Sequence, residues 1–157
     1  MPGAHDCATS TIPGSTIFSS ISRTQNLPIF RQLEFGVRFF DVRIGCASLD
    51  PKELSIMHGP HYGDLFVNIL KDMAVYVSLH PEEIIIIKIK EEQTRGISNE
   101  IRHFALKSIN SIFGNKLIGQ QEAQEGPLGW FKIDTVPLKQ LQVNSKNFIV
   151  AYQKNEF

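Results

Sequence analysis

An isoleucine-rich run at residues 84–89 most constrains what this chain can fold into. Residues Ile84 to Ile87 are consecutive isoleucines, and Ile89 extends the run after one lysine. Such a β-branched run is typical of a strand that is covered on both faces, as in a parallel sheet. It is far shorter than the roughly 20 apolar residues that a membrane helix needs. We therefore predict a buried parallel strand here and no transmembrane segment.

Predicted strands and helices alternate on both sides of this run, which indicates an α/β fold with a parallel sheet. Apolar residues at helical spacing predict one helix that Asp64 caps and His80 ends, and another that Asn99 caps and Gly114 ends. The other predicted elements are short helices over residues 27–35 and 136–141 and strands over residues 37–42, 54–57 and 147–152.

Three short polar stretches follow or interrupt the predicted strands, and they span residues 2–6, 39–43 and 56–60. Ligands of parallel α/β folds bind at the carboxyl ends of the strands, so we expect these stretches to form one site. Their ionisable residues are His5, Asp6, Asp41, Arg43 and His58. Histidine can act as a base or an acid near neutral pH, and an arginine fork matches phosphate oxygens. This inventory suits proton transfer around a phosphate ester without a metal.

Charge and cysteine content argue against several other functions. Sixteen basic residues balance sixteen acidic ones, so the net charge favours neither nucleic acid nor an anionic membrane as a partner. Cys7 and Cys46 are too few for a disulfide framework and lack metal-ligand spacing. Each follows a polar stretch, so they could form a bridge, but we favour two half-buried free thiols. No secretory signal is visible before His5.

The order and spacing of the polar stretches resemble the X domain of phosphatidylinositol-specific phospholipase C. The likeness is to the small bacterial enzymes and the stand-alone X-domain proteins, and it extends from residue 2 to about residue 93. The family motifs PGTHDS, TQ…QL..GIRYFDIR, I.HGP and NPxETIIMxLK resemble, in turn, residues 2–7, 24–43, 56–60 and 80–90. The remainder of the chain matches only in general character.

This resemblance implies a distorted TIM-type barrel and a two-step reaction on phosphatidylinositol. His5 would be the general base that deprotonates the inositol 2-hydroxyl. His58, paired with Asp6, would be the general acid that protonates the departing diacylglycerol. Arg43, held by Asp41, would stabilise the phosphorane. The product would be a cyclic inositol phosphate, sometimes opened later by water.

The resemblance also implies that no metal or other cofactor is needed, because calcium-dependent relatives have carboxylates and an asparagine where Arg43 stands. Lys90 would lie near the inositol hydroxyls. Lys88 and Lys90 alternate with isoleucines, so a solvated edge strand is the other interpretation. Several further residues are interpreted as incidental or as packing residues: His61, His80, His103, Trp130, Tyr152 and the pair Glu91-Glu92, which we assign to a loop.

Two other functions stay open. A catalytically inactive X domain would bind phosphoinositide headgroups or a protein partner without turnover. A metal-dependent glycerophosphodiesterase on the same barrel type is the weaker option. It needs several carboxylates around an ion, and Arg43 stands where a ligand would be wanted.

We expect residues 1–157 to form a single domain that is incomplete at both ends. A complete barrel of this type has about 250 residues, whereas this chain has 157 residues and four or five predicted strands. The predicted fold class is therefore α/β, half of a TIM-type barrel with parallel strands alternating with helices. Besides a membrane-surface lipid substrate, the expected partner is the second half of the barrel. That half would normally supply the carboxylate that orients the base histidine. The compartment stays open, and both peripheral membrane contact and secretion are compatible with the sequence.

Overall fold

The computed structural model describes residues 1–14, 21–92, 96–118, 124–125, 131–132, 139 and 145–153. One sheet contains the strands β1 (Gly3–Ala4), β2 (Phe39–Gly45), β3 (Ser55–His58), β4 (His61–Leu65), β5 (Ile85–Glu91) and β8 (Phe148–Gln153). Two short strands, β6 (Gln124–Glu125) and β7 (Phe131–Lys132), pair separately. The α-helices are α1 (Ile29–Glu34), α2 (Phe66–Leu79) and α3 (Ser98–Phe113), and short 3-10 turns lie at Thr9–Thr11, Pro51–Glu53 and Gly114–Lys116.

The predicted isoleucine strand, β5, lies at the centre of the sheet, parallel to β2 on one side and to β8 on the other. Ile85, Ile87 and Ile89 are fully buried in the core that α2 and α3 share with the sheet. Lys88 and Lys90 point to the opposite face, where they are half-buried. A central strand has no solvated edge, so the edge-strand interpretation of these two lysines is wrong.

Strands β1, β2, β5 and β8 are parallel, as predicted, but β3 and β4 form an antiparallel hairpin beside β2. Only Gly59 and Pro60 separate β3 from β4, and Gly59 has a φ of +58°, which suits a tight reversal. The β4 segment has no apolar alternation, so the sequence did not indicate it as a strand. Because β3 runs against β2, its last residue, His58, returns toward the end of β1.

Helix ends follow the sequence signals, except at the amino termini of α2 and α3. α2 ends at His80 and α3 at Gly114, which has a φ of +53°, both as predicted. The predicted caps are wrong, since Leu65 caps α2 and Ile97 caps α3. The Asp64 carboxylate still accepts a hydrogen bond from the Leu65 amide, 2.7 Å away. The predicted helix over 136–141 lies outside the described residues, apart from Lys139.

The predicted strand over residues 147–152 is confirmed as β8. Among the described helices, none combines the length and apolar character that crossing a bilayer requires.

An ion pair between Arg38 and Glu83 connects the amino ends of β2 and β5. The Arg38 Nε and Nη2 donate to the two Glu83 carboxylate oxygens at 2.8 and 2.7 Å. Arg38 Nη2 also donates to the Tyr76 hydroxyl at 2.9 Å, and its Nη1 donates to the backbone carbonyls of Leu33 and Val37. The hydrogen bond from Arg38 lowers the pKa of Glu83 below its ordinary value. None of these contacts involves the ionisable residues of the polar stretches, so we assign the pair to folding and not to the site.

We expect Glu83→Gln to lower the free energy of unfolding by about 2 kcal/mol at neutral pH, because it removes charge-assisted hydrogen bonds from a mostly buried guanidinium. A lowered pKa means that the folded chain binds fewer protons than the unfolded chain. The stabilisation is therefore present above the ordinary pKa of 4.5 and is lost as the pH falls through the folded value.

Urea denaturation as a function of pH measures this difference. Glu82→Gln, at a neighbouring carboxylate whose side chain is 65% exposed, is the matched control and should change stability by less than about 0.5 kcal/mol. Equal effects of the two variants, or a Glu83→Gln effect that persists unchanged in acid, would contradict this account.

Candidate active site

A buried carboxylate, that of Asp6, lies at the centre of the polar stretches. Asp6 is only 2% exposed and follows β1 in a left-handed conformation with a φ of +47°. Its Oδ2 lies 3.2 Å from His5 Nε2 and 3.3 Å from His58 Nε2. A non-glycine residue in this conformation is uncommon, and such outliers cluster at functional sites. One carboxylate oxygen therefore faces both predicted histidines.

His58 reaches Asp6 from the end of the antiparallel strand β3. Its Nδ1 lies 3.0 Å from the Ser22 carbonyl oxygen. A carbonyl can only accept, so Nδ1 carries a proton and donates it. The proton that His58 can gain or lose is therefore the one on Nε2, which faces Asp6. We predicted that His58 follows the carboxyl end of a parallel strand; it joins the site from the opposite direction, because the Gly59-Pro60 hairpin reverses the chain.

Asp41, on β2, pairs with His5 and not with Arg43 as we predicted. The His5 Nδ1 lies 2.7 Å from Asp41 Oδ2. A carboxylate fixes the tautomer of a histidine in this geometry, leaving Nε2 with the lone pair. The carboxylate that orients this histidine was expected from the second half of a barrel, but here it comes from β2. The His5 side chain is 67% exposed, so its ring is accessible from outside.

Arg43 lies two residues further along β2, on the same face as Asp41. Its Nε contacts Asp6 Oδ1, and its Nη1 donates to Glu92 Oε1 at 2.6 Å. Its Nη2 lies 3.3 Å from His5 Nε2. The neighbouring Glu92 and Asp6 raise the pKa of Arg43 despite its partial burial. Carboxylates thus hold two guanidinium nitrogens, and the third lies beside His5 Nε2.

Glu92 belongs to the site, although we assigned it to an incidental loop. Its second oxygen, Oε2, accepts a hydrogen bond from the Gly59 amide at 3.2 Å. Strand residues alternate between faces, so Lys88, Lys90 and Glu92 follow one another on one face of β5. Counting by two from Lys90 predicts the face on which Glu92 lies, but its contact with Arg43 depends on the register between β5 and β2.

Glu91, the other member of that pair, is the fully buried last residue of β5 and not part of a loop. It accepts hydrogen bonds from the Ser98 hydroxyl at 2.5 Å and from the Tyr152 hydroxyl at 2.7 Å. Burial and the Glu91 carboxylate raise the pKa of Tyr152. Tyr152 is therefore a packing residue with a polar tip, as predicted, whereas Trp130 lies outside the described residues.

Lys90 lies next to Arg43 in the sheet, since the two residues are register partners on β5 and β2. Lys88 is the register partner of Asp41 in the same way. Cross-strand partners share a face. The structure therefore places the sixth predicted residue, Lys90, on the face that carries Asp41 and Arg43.

Side chains of the segment between β1 and β2 hold residues 5–9 in place. The Gln32 Nε2 is buried and donates to the carbonyls of Cys7 at 2.7 Å and Leu27 at 2.6 Å. The Thr9 hydroxyl donates to the Asp6 carbonyl at 2.9 Å, and Gln25 Nε2 donates to the His5 carbonyl at 2.9 Å. We predicted no role for these residues from the sequence. Gln25 and Gln32 lie within the matched motifs, whereas Thr9 lies outside them.

Cys7 and Cys46 are free thiols, as we favoured, but both are fully buried and not half-buried. Burial, together with the nearby charge of Asp41, raises the pKa of the Cys7 thiol well above its ordinary value. Burial raises the pKa of Cys46 as well. A protonated thiol is a weak nucleophile and a weak metal ligand, so neither cysteine adds chemistry to the site.

The donor set His5, Asp6 and Asp41 has the composition of a metal site, since one ligand atom from each lies within 4.8 Å of the others. A guanidinium already contacts this set, because Arg43 pairs with Asp6 and lies 3.3 Å from His5 Nε2. A divalent cation here would be repelled by that fixed charge. The fit to a metal is therefore poor while Arg43 is in place.

We expect Gln32→Met to cost about 2 kcal/mol of stability, because it leaves the carbonyls of Cys7 and Leu27 without their buried donor. Gln25→Met, at a more exposed amide that makes one hydrogen bond, is the matched control and should cost less than about 1 kcal/mol. Thermal denaturation of both variants measures the difference. Equal melting temperatures would show that Gln32 does not hold the loop.

Comparison with known proteins places this geometry in a family. The family model described as "Phosphatidylinositol-specific phospholipase C, X domain" matches residues 2–150. A 1-phosphatidylinositol phosphodiesterase of Listeria monocytogenes is 29% identical over 106 residues, which cover 65% of this chain and 31% of that protein. The human PI-PLC X domain-containing protein 1 is 26% identical over 133 residues, which cover 84% of this chain and 37% of that protein. The chain thus spans about a third of the length of these relatives.

Solved structures show the same fold. A structure of the phosphatidylinositol-specific phospholipase C of Staphylococcus aureus superposes with a TM-score of 0.69 at 21% identity and covers 98% of this chain and 47% of that one. The Listeria monocytogenes enzyme gives a TM-score of 0.65 at 22% identity, over 98% of this chain and 50% of that one. The mixed α/β sheet therefore corresponds to about half of a TIM-type barrel, as predicted. With a family model that matches nearly its whole length, the chain belongs to the phosphatidylinositol-specific phospholipase C X-domain family.

Proposed function

We propose that this domain contributes to cleavage of phosphatidylinositol, or a related inositol phospholipid, into diacylglycerol and a cyclic inositol phosphate without a metal. The relatives named 1-phosphatidylinositol phosphodiesterase support the substrate class. One observation carries the proposal. The Nε2 atoms of His5 and His58 face the same Asp6 oxygen, and a guanidinium nitrogen lies beside the first of them.

The first step needs a base next to a phosphate-binding group, because the inositol 2-hydroxyl and the phosphate that it attacks are on adjacent carbons. His5 Nε2 and Arg43 Nη2, 3.3 Å apart, are neighbours of this kind. His5 takes the hydroxyl proton, the oxygen attacks phosphorus, and Arg43 binds the phosphorane oxygens. Asp41 stabilises the imidazolium that His5 becomes, since it lies 2.7 Å from Nδ1.

The departing diacylglycerol oxygen needs a proton as its bond to phosphorus breaks. His58 is suited to donate one from Nε2, because its Nδ1 is committed to the Ser22 carbonyl. Asp6, only 2% exposed, holds the positive charge of this imidazolium until transfer. After the step His5 is protonated and His58 is neutral, so the charges balance. If water later opens the cyclic phosphate, the two histidines exchange their acid and base roles.

Metal independence follows from the place of Arg43 in this proposal. The guanidinium supplies the positive charge that calcium supplies elsewhere, and its contacts with Asp6 and Glu92 fix it near His5. Lys90, its register partner on β5, is in place to contact inositol hydroxyls. If chelator abolishes the activity and calcium restores it, the role given to Arg43 is wrong.

The experiment is release of labelled inositol phosphate from phosphatidylinositol micelles in EDTA, with His5→Ala and His58→Ala as test variants. We expect each to lose about 100-fold or more in rate, the amount that general acid–base catalysis contributes. His103→Ala, at an exposed position on α3, is the matched control and should keep the parent rate.

Three outcomes of this assay separate the hypotheses. Metal-independent release that only the site variants lose supports the proposal. Headgroup binding without release, by a chain shown to be folded, favours an inactive X domain. Release that all three histidine variants retain would contradict the roles of His5 and His58.

A further inference from the structure

Glu92 connects the two sides of the site. Its Oε1 lies 2.6 Å from Arg43 Nη1 on β2, and its Oε2 accepts from the Gly59 amide, which directly follows His58. The Glu92 side chain is only 15% exposed. One carboxylate therefore holds both the guanidinium and the loop that carries the second histidine.

The backbone fixes Glu92 in this place. Its amide donates to the Ile44 carbonyl at 2.9 Å, which continues the β2–β5 ladder one residue past the end of β5. The preceding residue, Glu91, is locked on the opposite face by the Ser98 and Tyr152 hydroxyls. Because successive residues alternate between faces, this anchor directs Glu92 toward Arg43. Hence the position of Glu92 is set before any ligand binds.

We propose that Glu92 is a positioning residue that sets the orientation of Arg43 and couples it to the His58 loop. If only Nε were held, the Arg43 side chain could change its terminal torsion angles. That change would move Nη2 away from His5 Nε2. With Glu92 on Nη1 and Asp6 on Nε, two of the three nitrogens are fixed and Nη2 must face the substrate side. This inference rests on the proposed function, since it concerns how Arg43 meets the phosphate.

Glu92→Gln tests the coupling with little change of shape. An amide can accept from one partner and donate to the other, but both partners here are donors, so one of the two contacts must be lost. We expect the rate constant kcat to fall about 10- to 100-fold with little change in KM, because misplacement of a phosphate-binding group by about 1 Å costs up to 100-fold. Glu100→Gln, at an exposed position on α3, should leave kcat unchanged.

A phosphorothioate substrate distinguishes positioning from a merely structural role. Sulfur in place of a non-bridging oxygen weakens the bond to Arg43, so the oxygen-to-sulfur rate ratio reports on that contact. We expect Glu92→Gln to reduce this ratio as Arg43→Lys does, and the double variant to lose no more rate than Arg43→Lys alone. An unchanged ratio with additive rate losses would overturn the proposal.

A readout without turnover separates failure of this inference from failure of the proposed function. In the folded chain we expect resolved NMR signals for the Arg43 Nη protons and slow exchange of the Gly59 amide proton. Glu92→Gln should average the former and speed the latter, whereas Glu100→Gln should change neither. Glu92→Asp, which keeps the charge but is too short to span both partners, gives the same test if the glutamine variant does not fold. Signals that neither Glu92 variant changes would overturn the proposal even in a chain without activity.

Discussion

The site depends on one buried carboxylate. Taking an ionised group such as Asp6 out of water is costly unless cations and donors surround it. The partners of Asp6 are the two histidines and Arg43, which are also the groups that phosphodiester chemistry would use. The buried negative charge of Asp6 is therefore stable only when these side chains lie around it. The backbone of Asp6 is left-handed, and in this conformation its carboxylate contacts all three.

The sheet makes this convergence possible by combining two strand directions on one side of β2. β1 runs parallel to the first part of β2, and β3 runs antiparallel to its last part. The ends of β1 and β3 therefore approach each other along β2, which brings His5 and Asp6 to His58. On the other side of β2, the parallel strand β5 adds Lys90 and Glu92.

Much of the fold and the residue types of the site could be predicted from sequence, because they depend on local pattern. The isoleucine run, the apolar helix stripes and Gly114 each carry a physical signal that does not depend on distant residues. The pairings could not be predicted. Asp41 could serve Arg43 or His5 equally well on one face of β2, and only the packing of the loop after β1 decides for His5. Glu92 was missed because its role depends on register with β2, although alternation along β5 indicated its face.

The side-chain contacts that support the loop after β1 could not be predicted from the sequence either. The Gln32 amide donates to the backbone carbonyl of Cys7, which is distant in sequence, and no spacing rule predicts such a contact. Because Gln32 lies within the motif over residues 24–43, this contact explains why that motif includes a residue without obvious chemistry. Motif residues of this kind determine the shape of the site, while the ionisable residues determine its reactivity.

The central claim is that Asp6 arranges His5, His58 and Arg43 around one phosphate. The most direct measurement is a crystal structure of the chain with a non-cleavable phosphonate analogue of phosphatidylinositol. We expect the phosphonate oxygens to contact Arg43 Nη2, with the inositol 2-hydroxyl at His5 Nε2 and the group in the leaving-oxygen position at His58 Nε2. A phosphonate bound elsewhere, or bound here with Arg43 still turned away from it, would contradict the account.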